Sequence, residues 1–319
     1  MTVMTYAEAA REALADAMRT DPKVWAVGED LGRGGVFQQY KGLREEFGPD
    51  RISDAPISEA AIMGAAFGAA LVGTRPVVEM RFADFALCAT DELVNQIAKA
   101  RFMFGGQSRA PMVIRKPMGM WRSSAAQHSQ SLESWYTHIP GLVVCCPSTP
   151  QDNYAMMRAA IACDDPVVYL EHKDMWAVEG EVDRNGVYNF GTARQRRHGN
   201  DITIVTWSKT CLEAEAAADQ LATSGISADV LDLRSLWPWD KDAVLESAGR
   251  TGRVLIAHES VQVGGFGAEV AATVAEQSAA RVRRLGSPRA LIAYAPNLED
   301  QLRITADKIA VAAREMVAA

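Results

Sequence analysis

Apolar residues recur at helical spacing across residues 6–19 and stop just before Asp21-Pro22, so the chain is expected to open on an amphipathic helix. Val24-Trp-Ala-Val-Gly28 follows as a short apolar run that reads as a buried strand. Strand-like runs at 77–82, 112–115 and 142–146 then alternate with helix-like segments at 91–104 and 151–163. That alternation predicts a parallel sheet covered by helices on both faces. It lapses in the Gly- and Asn-containing stretch 179–191 and resumes at Ile202-Thr-Ile-Val-Thr-Trp207. The second series places a helix at 210–224, a strand at 228–233, a helix at 240–248, a strand at 254–259 and a glycine turn, Gly264-Gly-Phe-Gly267, leading into another helix. The expected organisation is α/β in two domains, each a mostly parallel sheet flanked by helices: 1–180, a linker at 181–200, and 201–319.

Length agrees, since 319 residues exceed one ordinary core and suit about two domains. Charge excludes one class of partner: the formal net charge is −7 and no long basic run occurs, which argues against nucleic acid. Arg194-Gln-Arg-Arg197 and Arg281-Val-Arg-Arg284 read as strand edges or interface patches. The five cysteines form neither a CxxC pair nor a disulfide framework, which fits a reducing cytoplasm. No window reaches the roughly 18 apolar residues of a membrane span, and residues 1–20 lack a signal-peptide core, so a soluble, cytoplasmic chain is expected.

The stretch Ser53-Asp-Ala-Pro-Ile-Ser-Glu-Ala-Ala-Ile-Met-Gly-Ala-Ala-Phe-Gly68 sets one carboxylate, Glu59, where a loop turns into a helix. Buried among Ile57, Ile62, Met63 and Phe67, its ionised form would be disfavoured and its pKa raised, so that it could donate a hydrogen bond near neutrality. The plainer reading is a first-turn glutamate that suits the helix dipole. Phe82 and Phe85 flank Asp84 and would fit an aromatic wall for a flat ring, although a strand-end core explains Phe82 equally well. His128 lies in the polar stretch Arg122-Ser-Ser-Ala-Ala-Gln-His-Ser-Gln130 and titrates near neutral pH, which makes it a candidate for chemistry or a simple surface histidine. His138 reads as scaffold, and His172, His198 and His258 show no ligand spacing. Gly32-Arg-Gly-Gly35 and Gly264-Gly-Phe-Gly267 lack both a P-loop lysine and the dinucleotide spacing, so ordinary turns are expected. The helix that ends before Pro166 leaves free carbonyls at its C-terminus.

The run Ser58 to Gly68, of the form Ser-Glu-x-x-Ile-x-Gly-x-Ala-x-Gly, is followed in order by Phe82-Ala-Asp-Phe85, Gln127-His-Ser-Gln130, Pro147-Ser-Thr-Pro150 and Asp165-Pro-Val-Val-Tyr-Leu-Glu171. Together they resemble, nearly end to end, the beta subunit of the decarboxylating dehydrogenase component of 2-oxo acid dehydrogenase complexes, in the transketolase-like superfamily. The resemblance implies a pyrimidine-binding domain, a transketolase C-terminal-like domain, and thiamine diphosphate shared with an alpha subunit in an alpha-2-beta-2 heterotetramer. It implies that Glu59 bonds the aminopyrimidine ring nitrogen N1′, that Phe85, rather than Phe82, stacks on that ring, and that His128 contacts the substrate and helps pass the acyl group to a lipoyl-bearing acyltransferase. It also implies a K⁺ bound by backbone oxygens of Met112, Ala160, Ile161, Cys163 and Asp165. The Gly-Asp-Gly motif that marks the Mg²⁺ and diphosphate site in this superfamily is absent, so the alpha subunit is expected to supply that end.

Two departures bear on substrate. Met120-Trp121 and Gln127 stand where pyruvate and branched-chain types usually show Gly-Gly and a second histidine, and the run Ala-Ala-Gln-His-Ser-Gln with Thr137-His-Ile-Pro-Gly141 looks more like acetoin-cleaving members. Gly286-Ser-Pro-Arg-Ala-Leu-Ile-Ala-Tyr-Ala-Pro296 replaces a common Asp-Thr-x-x-Pro segment. The expected activity is oxidative decarboxylation of a 2-oxo acid, or cleavage of acetoin. The alternatives are a split transketolase moving a ketol unit between sugars, with Arg115, Lys116 and Arg122 meeting a sugar phosphate, or a noncatalytic structural subunit.

Overall fold

Helix α1 (Tyr6–Thr20) begins where Thr5 and Glu8 close a capping box: the Thr5 hydroxyl accepts from Glu8 N–H at 3.2 Å, and the Glu8 carboxylate accepts from Thr5 N–H at 2.9 Å. Tyr6, Ala9, Ala13, Leu14 and Met18 make its buried face, as the periodicity predicts. The computed structural model describes residues 1–319. They form two units, Met1–Met118 with Trp135–Asn189, and Gly119–Ser134 with Phe190–Ala319.

The first unit's strands are β1 (Thr2–Thr5), β2 (Val24–Gly28), β3 (Ile52–Asp54), β4 (Arg75–Glu79), β5 (Val113–Met118), β6 (Val143–Cys145), β7 (Val167–His172) and β8 (Glu179–Val182). Between them lie α2 (Leu43–Phe47), α3 (Glu59–Leu71), α4 (Ala100–Met103), the end of α5 (Glu133–Thr137), whose first two residues belong to the second unit, and α6 (Pro150–Ala162). Strands β6, β7, β5, β4, β2 and β3 run side by side in that order, all parallel, while β1 and β8 pair antiparallel. Thr149 caps α6 by accepting from Asp152 N–H at 3.0 Å, and Pro150 opens the first turn, where a missing N–H costs nothing.

β5 and β7 are buried at every position, as strands sheltered on both faces must be. They nevertheless carry Arg115, Lys116, Glu171 and His172. Arg115 meets Glu171 through both Nε and Nη2, and Glu79 of β4 lies 3.7 Å from Arg115 Nε. Tyr40 donates to Glu79 at 3.0 Å, and Asn153 donates to Glu171 at 2.9 Å. Burial pushes the Glu79 carboxyl up to about 7, with Arg115 pulling the other way. Lys116, on the opposite face of β5, has its pKa driven well down by burial alone, and its Nζ sits 3.9 Å from the centre of the Tyr136 ring.

The second unit contains β9 (Arg194–Arg197), β10 (Ile202–Thr206), β11 (Ala228–Asp232), β12 (Ser235–Trp237), β13 (Arg253–Val261) and β14 (Arg281–Ser287), with α7 (Thr210–Ala222), α8 (Lys241–Thr251), α9 (Gly267–Gln277), α10 (Pro296–Leu302) and α11 (Ala306–Ala318). Its sheet has the order β14-β13-β10-β11-β9, parallel except for β9. Ile202, Ile204, Leu221, Leu255 and Ile309 are among the side chains that join α7 and α11 to the sheet. The Gly264-Gly-Phe-Gly267 turn serves packing: a Cβ at Gly265 or Gly267 would fall 2.7 or 2.6 Å from the His258 ring. His258 is fully buried, stacked on Trp207 at 5.0 Å, with Nδ1 2.9 Å from the Ser260 hydroxyl. Burial lowers its pKa to about 4.

The α/β architecture is the one expected, and several boundaries differ. The expected helix at 91–104 is a π-helical turn, Glu92–Ile97, followed by the short α4. β4 ends at Glu79, ahead of Arg81, which takes a positive φ. β5 runs on through Lys116 to Met118 because that lysine is accommodated inside. Within 179–197, where alternation lapses, the chain forms β8 and β9. No helix is long and apolar enough to cross a membrane.

Two outcomes follow. Arg115→Met leaves Glu171 and Glu79 facing each other without their cation, so urea denaturation should show a loss of about 3–5 kcal/mol. For His258, the folded pKa lies below the unfolded value of about 6.5, so its neutral form stabilises the fold above that pH and the contribution is lost as pH falls toward 4. His258→Gln should flatten the fall in Tm between roughly pH 6.5 and 4, a difference on the order of 3 kcal/mol by linkage.

Candidate active site

Helix α3 begins at Glu59 behind Ser58, whose hydroxyl makes no capping bond. Ala, Ile, Met and Leu favour the helix, and it packs on one side only: Ile62, Met63, Ala66 and Ala70 are buried, whereas Ala61, Gly64, Ala65 and Gly68 are exposed. A Cβ at Gly64 or Gly68 would meet no atom within 4 Å. The burial expected for Glu59 is therefore corrected. Its side chain is half-buried, and Ile57, expected as an apolar neighbour, is 76% exposed. The helix buries the stripe that faces the unit's interior, and Glu59 stands at its edge, where the positive end of the helix dipole suits a carboxylate.

Against α3 packs the 3-10 turn Phe85–Ala89. Phe85 is half-buried, with one edge against Phe82 at 5.2 Å between ring centres. Phe82 lies deeper. Phe37 meets it edge-on at 5.8 Å, the Lys173 ammonium sits 4.8 Å above its ring, and Phe37 stacks in turn on Trp176 at 5.3 Å. Phe82 is thus the more deeply buried ring and Phe85 the more exposed one. Phe37, Lys173 and Trp176 went unremarked in the sequence because they are far apart along the chain and have no shared spacing.

His128, half-buried, belongs to the second unit, in the segment Gly119–Ser134. This loop is tightly wound. Arg122, Ser123 and Ala125 take positive φ values of 45, 57 and 63°, the Gly119 N–H donates to Gln130 O at 3.3 Å, and the His128 N–H donates to Ala125 O at 3.3 Å. Glu259 of β13 reaches both stems of the loop, accepting from Met120 N–H at 2.7 Å and from the Ser131 hydroxyl at 3.2 Å. An acceptor of a backbone N–H leaves no signature in sequence, so Glu259 was not singled out there. Of the basic residues considered for a sugar phosphate, Arg115 and Lys116 are fully buried, and only Arg122 is exposed, its guanidinium 5.4 Å from the Trp121 ring.

The carbonyls considered for K⁺ are already engaged once each where their contacts are defined. Met112 O accepts from Val167 N–H at 2.9 Å and Ala160 O from Cys163 N–H at 3.2 Å, while Arg75 Nη1 donates to Ile161 O at 3.1 Å and Cys163 O at 3.0 Å. Asp165 pairs through its side chain with Arg101 at 2.6 Å. Each carbonyl keeps a second lone pair. No group of three or more His, Cys, Asp or Glu side chains is arranged to hold a metal ion.

The transketolase pyrimidine-binding domain matches residues 2–177, and the transketolase C-terminal domain matches residues 191–309. The 2-oxoisovalerate dehydrogenase subunit beta of Bacillus subtilis is 39% identical over 99% of both chains. The beta subunit of acetoin:2,6-dichlorophenolindophenol oxidoreductase of Cupriavidus necator is 41% identical, over 96% of this chain and 95% of that one. A mitochondrial pyruvate dehydrogenase E1 component subunit beta-2 of Oryza sativa is 39% identical over 98% of this chain and 85% of that protein. Among solved structures, a split-gene transketolase in an inactive beta4 tetramer superposes with a TM-score of 0.82 at 23% identity, covering 99% of this chain and 98% of that one, which establishes the shared fold. With both domain models matched and relatives of this identity aligned from end to end, the chain belongs to the transketolase-like family of 2-oxo acid and acetoin dehydrogenase beta subunits.

Proposed function

We propose that this chain is the beta half of a thiamine diphosphate-dependent dehydrogenase that decarboxylates a 2-oxo acid or cleaves acetoin, working with an alpha subunit in an alpha-2-beta-2 heterotetramer. The observation that carries the reading is Glu59: a half-open carboxylate on the first turn of α3, a helix packed against the turn that presents Phe85, with its remaining face uncovered by this chain. A carboxyl and a half-exposed aromatic ring fit an aminopyrimidine, which needs a hydrogen-bond partner at N1′ and a flat surface. When bound, thiamine diphosphate supplies the nucleophile that adds to the substrate carbonyl and accepts the electrons released on cleavage. Glu59 holds and exchanges a proton at N1′, and Phe85 supports the ring, with Phe82 packed behind it. His128 bonds the substrate carbonyl or the acyl group before transfer to a lipoyl-bearing acyltransferase.

Mg²⁺ and the diphosphate are assigned to the alpha subunit, because this chain has no Gly-Asp-Gly motif. K⁺ is assigned to the carbonyls of Met112, Ala160, Ile161, Cys163 and Asp165, using lone pairs that the contacts above leave over. Burial of Arg115 and Lys116 takes two of the three candidate phosphate-binding residues out of reach and disfavours ketol transfer between sugar phosphates. Five free cysteines suit a reducing compartment such as the cytoplasm.

The reading is tested on this chain co-purified with its alpha partner, by thiamine diphosphate- and Mg²⁺-dependent reduction of an artificial electron acceptor with pyruvate, 2-oxoisovalerate and acetoin in turn. One substrate class should respond; silence with all three from an intact heterotetramer sinks the proposal. Glu59→Gln should lower turnover by about 10²–10⁴-fold while the heterotetramer elutes unchanged in size-exclusion chromatography, and wild-type turnover would remove the role given to Glu59. Exchanging K⁺ for tetramethylammonium should lower Tm by a few degrees, and an unchanged Tm would argue against the cation.

A further inference from the structure

The loop that carries His128 is held in a conformation its own residues do not favour. Arg122, Ser123 and Ala125 all lie in the left-handed region, which residues with a Cβ enter only when their surroundings impose it. Met120, Ala125 and Leu132 are buried and pack part of the loop, but not all of it. A cavity of about 100 Å³ lies under it, lined by Met120, Ser129, Ser131 and Leu132 from the loop and by Glu259 and Ser260 from β13. Ser129 is buried against this cavity, and its hydroxyl finds no protein partner. Ala290, Leu291, Ile292 and Leu302 complete its mostly apolar lining, so the loop leaves a gap at this place.

A carboxylate bridges the neck of the loop. Glu259 Oε1 accepts the Met120 N–H at 2.7 Å and the Ser131 hydroxyl at 3.2 Å, so a single atom ties the outgoing and returning stems together. The 3.3 Å bond from Gly119 N–H to Gln130 O closes the same neck. Glu259 is itself fixed by its place on β13, where its carbonyl accepts the Ser287 hydroxyl at 2.6 Å. Farther along, Glu133 accepts from Trp207 Nε1 at 3.0 Å and the Ser134 hydroxyl accepts from Phe266 N–H at 2.8 Å, which anchors the return of the chain but not the neck.

We infer that Glu259 is a positioning residue for His128: its carboxylate latches the neck of the 119–131 loop and keeps the strained turn wound so that the imidazole is presented at a fixed place. The inference rests on the assignment of His128 to the substrate, and it adds a residue that never touches substrate yet sets how well His128 acts. Misplacement by about 1 Å costs roughly 10²-fold in rate in sites of this kind. A glutamine at 259 retains an oxygen able to accept both hydrogen bonds, whereas an alanine does not.

The test uses the heterotetramer with its alpha partner and compares wild type, Glu259→Ala, Glu259→Gln and His128→Asn. Hydrogen–deuterium exchange is read over 119–131, and kcat and KM are measured with pyruvate, 2-oxoisovalerate and acetoin. Glu259→Ala should raise exchange across 119–131 and lower kcat by about 10–100-fold with thiamine diphosphate affinity unchanged, and Glu259→Gln should restore most of both. Unchanged exchange in Glu259→Ala overturns the latch whatever the activity, and raised exchange with wild-type kcat overturns its role in positioning. His128→Asn should lower kcat without changing exchange. If it turns over normally, the assignment of His128 fails, while the exchange result still decides the latch.

Discussion

The contact between Arg115 and Glu171 governs the first unit. Neither side chain reaches solvent, both sit on strands buried on both faces, and a charge in that position is tolerable only with its counter-ion and hydrogen bonds in place. The pair therefore fixes how β5 lies against β7, and Glu79 with Tyr40 extends the constraint to β4. The consequence reaches the candidate site through the backbone. Just beyond β4, Met80 N–H donates to Arg115 O at 2.9 Å and Ala83 N–H to Pro117 O at 2.8 Å, so the turn that presents Phe82 and Phe85 hangs from the strand that the ion pair holds. A charge cluster in the core is a poor source of net stability, but it is demanding about geometry, and here that demand falls next to the aromatic pair.

Helix α3 shows the opposite economy. It is apolar on every side yet covered on one, leaving Ala61, Gly64, Ala65 and Gly68 in water together with half of Glu59. In a chain working alone, such a helix would expose apolar surface without return. In the proposed beta subunit, that face is the one left for an alpha subunit to cover.

The sequence disclosed the periodic parts most faithfully. β2 falls where Val24 to Gly28 predicted it, and α1 and α6 differ by a residue at their ends. Alternation and motif order were enough for fold class and family. What escaped were features set by contacts between distant residues. β5 seemed to stop at Arg115 because Lys116 reads as polar, yet the lysine lies inside over Tyr136. Glu59 seemed buried because its sequence neighbours are apolar, but neighbours on a helix point to different sides, and Ile57 before it points away. His258 is a buried ring on Trp207, and the glycine run, expected as an ordinary turn, has glycines at 265 and 267 because that ring leaves no room for a Cβ.

The segment around His128 separates two things that sequence comparison tends to merge. Met120, Trp121 and Gln127 are the loop positions at which the sequence departs from the pattern its family resemblance implies. Glu259, however, takes the N–H of Met120 and the hydroxyl of Ser131, and the first of these is present whatever side chain stands at 120, proline excepted. The side chains at 120 and 121 can therefore vary, and with them the surface offered to substrate, while the neck of the loop stays tied to β13. A backbone latch of this kind leaves the loop's side chains free to vary in chemistry and holds constant the position from which they act, which is the division of labour expected where one scaffold serves several related carbonyl substrates.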